Sequence, residues 1–173
     1  MSKIIFRDAT LEDALGISKA HVKSWQETYK DIVPDSHLQS LDPDSRAKMW
    51  AERFKDPSYD GQVIVAHAES GIVGFIGLGP SRSPEYPAWG ELRAIYLLRS
   101  HQGIGIGKQL FDIGKQRLQS FGYKQFFCWV LKNNDTRGFY EKVGGSLSKH
   151  EKIIQIGGKN LDEVAYEWRV EER

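Results

Sequence analysis

The chain contains 173 residues, of which 40% are hydrophobic and 27% charged, and this size and composition predict one globular domain over residues 1–173. Disordered, collagen-like and disulfide-scaffold proteins are excluded, because their compositions differ strongly from this one. Lys and Arg number 24 and Asp and Glu number 23, so neither nucleic acid nor an anionic membrane is expected as a partner.

The first part of the chain predicts a strand and two helices. Residues 3–8 alternate weakly, as in a strand, and Thr10 and Asp13 then have the spacing of a capping box. A helix is expected to run to about Tyr29, and Pro34 and Pro43 each lie beside a later helix-start signal. The residues that carry the helical spacing are Leu11, Ala14, Leu15, Ile17, His21 or Val22, and Trp25.

From Gly61 onward the hydrophobic period changes to that of strands. Residues 62–69 and 72–79, joined at Ser70-Gly71, predict a β-hairpin. Residues 80–87 contain three prolines and predict a loop, and residues 91–98 predict another strand.

The second half of the chain predicts a helix, a strand, a helix and two strands. Apolar residues at helical spacing indicate a helix over residues 106–121, which Gly122 ends. Residues 126–131 form an aromatic-rich apolar run, which is typical of a strand buried on both faces. A shorter helix over 135–143 follows, and the strands 147–156 and 164–170 are separated by the turn Gly157-Gly158.

This order of elements predicts an α/β (α+β) fold with one central sheet. The strand–helix–strand passage in the middle of the chain implies a parallel pair with a right-handed crossover. The hairpins on either side imply antiparallel neighbours. We therefore expect a mixed, mostly antiparallel sheet of about seven strands, with the parallel pair in the middle and helices on both faces.

The most informative segment is a glycine-rich turn between a strand and a helix. Gly103, Gly105 and Gly107 alternate where unpaired backbone N–H groups and the positive end of the helix dipole meet, which suits a diphosphate. The P-loop pattern fails at both ends, where Gln102 and Gln109 stand in place of glycine and Ser or Thr. The dinucleotide fingerprint also fails, because its third glycine comes one place early. Tight helix–sheet packing is the alternative explanation of these glycines.

This turn resembles the signature Gln/Arg-x-x-Gly-x-Gly/Ala of the GNAT superfamily of acyl-CoA-dependent N-acetyltransferases, met here by Gln102, Gly105 and Gly107. Asn133, six residues before Phe139-Tyr140-Glu141-Lys142, is similar to the family's Asn…Phe-Tyr-Glu-Lys-x-Gly helix, and the order of elements also agrees. The chain departs from the family pattern at three positions, which are Arg99, Thr136 and Gly145.

The resemblance implies that acetyl-CoA lies across the sheet where the parallel strands separate. Backbone groups of the central strand would bind the pantetheine arm, and those of the glycine-rich turn would bind the diphosphate. Lys108 and Arg137 are equally well explained as solvated surface cations, and Asn133 as a helix cap. The implied cofactor-binding residues are Ile95, Tyr96, Leu97, Gln102, Gly103, Ile104, Gly105, Ile106, Gly107, Lys108, Asn133 and Arg137.

Attack of an amine on a thioester needs a base, N–H donors for the carbonyl oxygen and an acid for the departing thiolate. Tyr140 is the candidate acid, with a structural role as a core tyrosine as its alternative. Glu91 is the candidate base, because it opens the strand that would hold the thioester. A structural ion pair with Arg93, two residues further along the strand, is its alternative.

The acceptor site is expected beside the first helix, where Trp25 and Tyr29 share a face. Trp89, in an aromatic loop close to Glu91, is the candidate for the opposite wall, although core packing explains Trp25 equally well. Acidic residues near these aromatics favour a cationic acceptor, and scattered surface carboxylates are an equally simple interpretation. These residues are Glu27, Asp31, Asp35 and Glu85.

Metal chemistry and an acyl-enzyme are not expected. The histidines lack metal-ligand spacing, and Cys128 lies in an apolar run, where it fits as a small core residue. The longest apolar run has six residues, far short of the roughly 20 that a transmembrane helix needs, and Met1 begins no signal-peptide pattern. With one cysteine and no such segment, a cytoplasmic protein is expected.

The sequence thus predicts transfer of an acetyl group from acetyl-CoA, with no metal, to a primary amine of a small molecule. The acceptor would be polyamine-like or amino-acid-like and would attack directly in a ternary complex. The alternatives are a non-catalytic acyl-CoA sensor and an acetyltransferase that acts on a protein N-terminus or lysine. The sequence leaves the oligomeric state open, including a homodimer.

Overall fold

The computed structural model describes residues 3–170, and within them seven strands form one sheet in the order β1-β2-β3-β4-β5-β7-β6. Every neighbouring pair is antiparallel except β4 and β5, which are parallel at the centre. The predicted mixed sheet is therefore confirmed. The strands are β1 Ile5–Asp8, β2 Gln62–Ala68, β3 Gly71–Pro80, β4 Gly90–Leu97, β5 Gln125–Leu131, β6 Ser146–Ile156 and β7 Lys159–Arg169.

The helices begin where the sequence places capping and proline signals. The prediction of two helices before β2 was wrong, because Pro34 and Pro43 each start a helix of their own after the first one. The Asp42 side chain caps the third helix by accepting hydrogen bonds from the backbone N–H groups of Asp44 and Ser45. The α-helices are α1 Ala14–Thr28, α2 Asp35–Ser40, α3 Pro43–Lys55, α4 Ile106–Ser120 and α5 Arg137–Lys142. None of them, within residues 3–170, is long and apolar enough to cross a membrane.

Two apolar layers cover the two faces of the sheet. Alternate residues of β2 point to opposite faces: Val63 and Val65 pack with the helices α1 and α3, and Ile64 and Ala66 pack with α4. Helix α5 lies on the same face of the sheet as α4, because its Tyr140 belongs to the hydrophobic cluster that α4 forms with the sheet. The expectation of helices on both faces is therefore confirmed.

The central parallel pair is short, and this positions the functional site. Strands β4 and β5 pair at two positions only, Gly90 with Phe126 and Glu91 with Phe127. The pairing of β3 with β4 also shifts at Arg93, where a β-bulge leaves that residue with no position opposite it in the β3 ladder. Beyond these pairs β4 and β5 run apart, so the sheet is split at its middle.

Candidate active site

A cavity of about 750 Å³ opens where β4 and β5 run apart. Its walls include residues 92–97 of β4 and 128–131 of β5. The glycine-rich turn and α5 border it on the α4 face of the sheet, and α1 and the β6–β7 hairpin border it on the opposite face. The lining residues on that opposite face include Trp25, Thr28, Tyr29, Lys152, Ile154, Ile156 and Glu163.

The glycine-rich turn presents bare backbone to this cavity. Gly103 and Gly105 have φ angles of +77° and +89°, a left-handed conformation that glycine adopts most easily. A Cβ atom on Gly105 would find only Gln109 Nε2, at 4.0 Å, so the space beside the turn is open. Gln102 fixes the turn to β4, because its Nε2 donates a hydrogen bond of 2.9 Å to the carbonyl oxygen of Leu97.

Most of the residues predicted to bind the cofactor do line the cavity: Ile95, Tyr96, Leu97, Gln102, Gly103, Gly105, Gly107 and Lys108. Four others do not contribute their side chains. Ile104 is exposed, Ile106 is buried in the core, and Asn133 and Arg137 lie outside the cavity wall. Arg137 instead donates hydrogen bonds to the carbonyl oxygen of Lys132 and to the hydroxyl of Tyr166.

Asn134, which the sequence analysis did not select, lines the cavity in place of its neighbour Asn133. Its side chain is buried, and Oδ1 accepts hydrogen bonds from the backbone N–H (2.9 Å) and hydroxyl (2.6 Å) of Thr136. This Asx turn leads into α5. Two adjacent asparagines before a helix were the available signal, but spacing alone could not show which of them faces inward.

Tyr140 and Cys128 lie together on the α5 side of the cavity. Tyr140 is 8% exposed, and burial raises the pKa of its phenol well above the ordinary value, with Cys128 beside it contributing further. Burial also raises the pKa of Cys128 to about 12. Both groups therefore keep their protons at neutral pH. The sequence placed Cys128 in the core, which is confirmed, but it also forms part of the cavity wall.

Glu91 lies at the closed end of the split, and Arg82 holds its carboxylate. Arg82 donates from its backbone N–H to Oε2 (2.9 Å), from Nε to Oε2 (3.2 Å) and from Nη2 to Oε1 (2.9 Å). The ion pair with Arg93 that the sequence offered as an alternative is wrong. The β-bulge takes Arg93 out of the strand alternation, and its Nη2 instead contacts Asp60 Oδ1 and the carbonyl oxygen of Pro80.

A second carboxylate, Glu163, faces the same cavity and was missed in the sequence. It lies on β7, paired with Leu131 on β5 and Lys152 on β6. Burial raises its pKa and the charge of Glu91 raises it further, whereas Lys152, with Nζ 3.6 Å from the carboxylate, opposes both effects. The sequence feature that could have revealed Glu163 is a carboxylate two residues from each of two apolar residues, Leu161 and Ala165, on one face of a strand.

The predicted acceptor residues divide into two groups. Trp25 and Tyr29 line the cavity together, with ring centroids 4.8 Å apart, and Tyr29 is buried. Trp89 does not reach the cavity wall. It packs on Tyr86, whose ring stacks on Phe127 at 4.0 Å in a separate aromatic cluster.

In the described residues, no group of three or more His, Cys, Asp and Glu side chains could hold a metal ion.

Comparisons with known proteins agree with this geometry. A family model described as the GNAT acetyltransferase domain matches residues 59–144. The uncharacterized N-acetyltransferase YuaI of Bacillus subtilis (strain 168) is 33% identical over 165 residues, which cover 95% of this chain and 92% of that protein.

Two solved structures share the fold at low sequence identity. The PaiA N-acetyltransferase of Thermoplasma acidophilum in complex with coenzyme A is 20% identical, with a TM-score of 0.78 over 97% of this chain and 99% of that one. YncA of Salmonella typhimurium, solved with its cofactor acetyl-CoA, is 18% identical, with a TM-score of 0.70 over 98% and 95% of the two chains.

Proposed function

The chain belongs to the GNAT family of N-acetyltransferases, and we propose that it transfers an acetyl group from acetyl-CoA to the primary amine of a small molecule. The proposal treats residues 1–173 as one catalytic domain. The observation that carries it is the cavity in the split sheet, which joins an open glycine-rich turn to a protonated phenol and two carboxylates. The relatives solved with coenzyme A or acetyl-CoA support the choice of donor.

The glycine-rich turn fits the diphosphate of coenzyme A. Side chains at Gly103 and Gly105 would occupy space that the fold leaves open, and the N-terminus of α4 offers N–H groups to an anion. Ile104 and Ile106 would take part through their backbone N–H groups. Lys108, whose Nζ now pairs with Asp112 at 2.6 Å, is exposed and close enough to the turn to meet a phosphate.

The unpaired side of β4 fits the pantetheine arm. Beyond Glu91 this strand has no ladder with β5, so backbone groups of Ile95, Tyr96 and Leu97 remain available for an extended ligand. Asn133 and Arg137 lie at the edge of α5, and we keep them as contacts for the outer part of the coenzyme. Acetyl-CoA supplies the activated acyl group, and the protein supplies its position.

The residues around the split provide for the proton transfers of the reaction. Tyr140, protonated at neutral pH, is proposed to donate a proton to the departing sulfur. The proton of the attacking amine needs a base. Three carboxylates line the cavity: Asp135 lies in the turn before α5, whereas Glu91 and Glu163 lie on strands of the sheet and are the two candidates. They differ in their partners, because Arg82 holds Glu91 and the weaker contact with Lys152 holds Glu163.

The opposite side of the cavity fits a small amine with an apolar part. Aromatic and aliphatic side chains surround the two carboxylates, and Trp25 and Tyr29 provide flat contact surfaces. Trp89 is proposed to act only indirectly, by packing behind Tyr86. The other acceptors, a protein N-terminus or a lysine side chain, would have to place their amine in the same position.

A thermal-shift measurement with acetyl-CoA tests the proposal. At about 100 times its Kd, the ligand adds about 2.7 kcal/mol of stability, which for a chain of this size raises Tm by about 5–11 °C. Release of thiol from acetyl-CoA with a panel of amines and peptides then separates an enzyme from a sensor, which would bind without turnover. A protein that acetyl-CoA does not stabilise would contradict the proposed function.

A further inference from the structure

We infer that Glu163 binds the ammonium form of the acceptor and takes its proton, a role that rests on the proposed acetyl transfer. The side chain lies between Leu161 and Ala165 on one face of β7. Leu161 packs in a cluster with Tyr29, which follows α1, on the face of the sheet opposite to α4 and α5. Glu163 and Tyr140 therefore approach the split in the sheet from opposite faces.

The hydrogen-bond partners of the two carboxylates decide between them. Arg82 gives Glu91 three hydrogen bonds that occupy both carboxylate oxygens. In the described part of the chain, Lys152 is the only cation within 4 Å of Glu163, and its Nζ lies 3.6 Å away, beyond hydrogen-bond distance. The same Nζ lies 4.4 Å from the ring centroid of Trp129, so it is shared between two neighbours.

A carboxylate that is only 15% exposed and has so few partners is suited to a cationic ligand. Ionised Glu163 is costly in this setting, and the ammonium group of an incoming amine would supply the missing charge and hydrogen bond. Once the amine is bound, a carboxylate with a raised pKa accepts its proton more readily than an ordinary one does. Glu91 is less suited to this step, because a proton on it would have to displace Arg82.

The groups around Glu163 are consistent with this role. Lys152 of β6 favours the ionised form, and Glu91 of β4, with Arg82 attached, favours the protonated form. Three neighbours are uncharged at neutral pH, because burial raises the pKa of each one: Tyr29 at the end of α1, Tyr96 of β4 and Cys128 of β5. A primary amine that is cationic at neutral pH therefore fits this part of the cavity better than an anionic acceptor does.

The step balances without a further reactant. The ammonium group gives one proton to Glu163, and the free nitrogen lone pair attacks the thioester carbonyl carbon. The C–S bond breaks as the C–N bond forms. The sulfur leaves with its electron pair and takes a proton from Tyr140, which recovers one from the acylated nitrogen. Glu163 returns its proton to solvent, so the products are the amide, the free thiol and one proton.

Matched substitutions test the inference through thiol release from acetyl-CoA. The variants are Glu163→Gln, Glu91→Gln and, as a control, Asp162→Asn, whose exposed side chain lies on the other face of β7. Each is assayed with primary alkylamines and arylalkylamines and with their β,β-difluoro analogues, whose amines lose the proton at much lower pH. Acetyl-CoA thermal shifts are recorded for every variant.

Glu163→Gln should lower kcat/KM for the parent amines by about 100-fold or more, and Asp162→Asn should leave it unchanged. The deficit should shrink to less than about ten-fold for the fluorinated amines, because a large fraction of these amines reaches the cavity already uncharged. A merely structural role would reduce both series equally. The acetyl-CoA shift should stay as in the wild type.

With an active wild type, three results would overturn the inference alone. They are an equal loss of kcat/KM for both amine series in Glu163→Gln, a larger loss of kcat/KM in Glu91→Gln than in Glu163→Gln, and a loss of less than about ten-fold in Glu163→Gln. A wild type that acetyl-CoA does not stabilise, or that acetylates no amine of the panel, would remove the proposed function as well. The two failures are therefore distinguishable.

Discussion

Substituting alanine at two glycines of the glycine-rich turn should have opposite effects on the protein. Gly105 has a φ of +89° and forms the N-cap of α4, whereas Gly107 lies in the first turn of the helix with an ordinary helical φ. The family signature also admits alanine at the second position but not at the first. We therefore expect Gly105→Ala to damage the protein and Gly107→Ala to be tolerated.

The magnitudes follow from the local geometry. A left-handed conformation costs alanine about 1–2 kcal/mol, of which its lower unfolded-state entropy returns about 0.4–1 kcal/mol. Gly105→Ala should therefore lose about 1 kcal/mol, or about 2–4 °C in Tm. At Gly107 the new Cβ would lie 3.5 Å from Phe139 Cε2 and 3.8 Å from Leu97 Cδ2, which are ordinary contacts. Alanine is favoured over glycine in a helix by about 0.5–1 kcal/mol, so Gly107→Ala should raise Tm.

The effect on coenzyme binding should separate the two variants further. If Gly105→Ala rotates the turn, one or two N–H groups no longer point at the diphosphate, each worth about 1.5–3 kcal/mol to a charged acceptor. Such a loss weakens acetyl-CoA binding by about ten-fold or more. Isothermal titration calorimetry on both variants measures it, with Gly107→Ala expected within a factor of about three of the wild type. Equal affinities in the two variants would refute the placement of the diphosphate against this turn.

Three further outcomes test the rest of the site and its surroundings. Tyr140→Phe should lower kcat by about 100-fold in the thiol-release assay and leave the acetyl-CoA Kd unchanged. Because burial raises the pKa of Glu163 above 4.5, the folded protein binds this proton more tightly than the unfolded chain, and ionised Glu163 lowers stability at neutral pH. Glu163→Gln should therefore raise Tm near pH 7, and calorimetric scans should show that gain vanish below about pH 4. Tyr86→Phe removes hydrogen bonds of 2.8 Å to Ser148 and Glu167 and should cost about 1–3 kcal/mol in urea unfolding, with no change in coenzyme affinity.

The features of this protein that the sequence predicts best are those with a local cause. The left-handed conformations of Gly103 and Gly105 need residues without a Cβ atom, so the turn is visible in the chain itself. The parallel pair follows from a strand–helix–strand passage, and Asp42 with Pro43 marks the start of α3. Each of these signals lies within a few residues of the structure that it produces.

The features that the sequence does not predict depend on contacts between distant segments. Strict alternation would put Glu91 and Arg93 on one face, but a bulge of a single residue sends Arg93 to Asp60 and leaves Glu91 to Arg82. Trp89 follows an aromatic loop toward Tyr86 instead of the cavity. The register between β3 and β4 sets the positions of Glu91 and Arg93, and the hydrophobic periodicity along β4 alone does not reveal that register.

The split in the sheet also explains why the acid and the base of the proposed reaction approach from opposite faces. A fully paired β4–β5 ladder would fill the gap with hydrogen bonds and separate Glu163 on the α1 side from Tyr140 on the α5 side. Because pairing stops after Glu91 and Phe127, the gap leaves unpaired the backbone groups that we propose bind the coenzyme, and residues from both faces line one cavity. In the proposed reaction the amine enters from one face and the thiol leaves from the other, so neither molecule has to move aside for the other during the transfer.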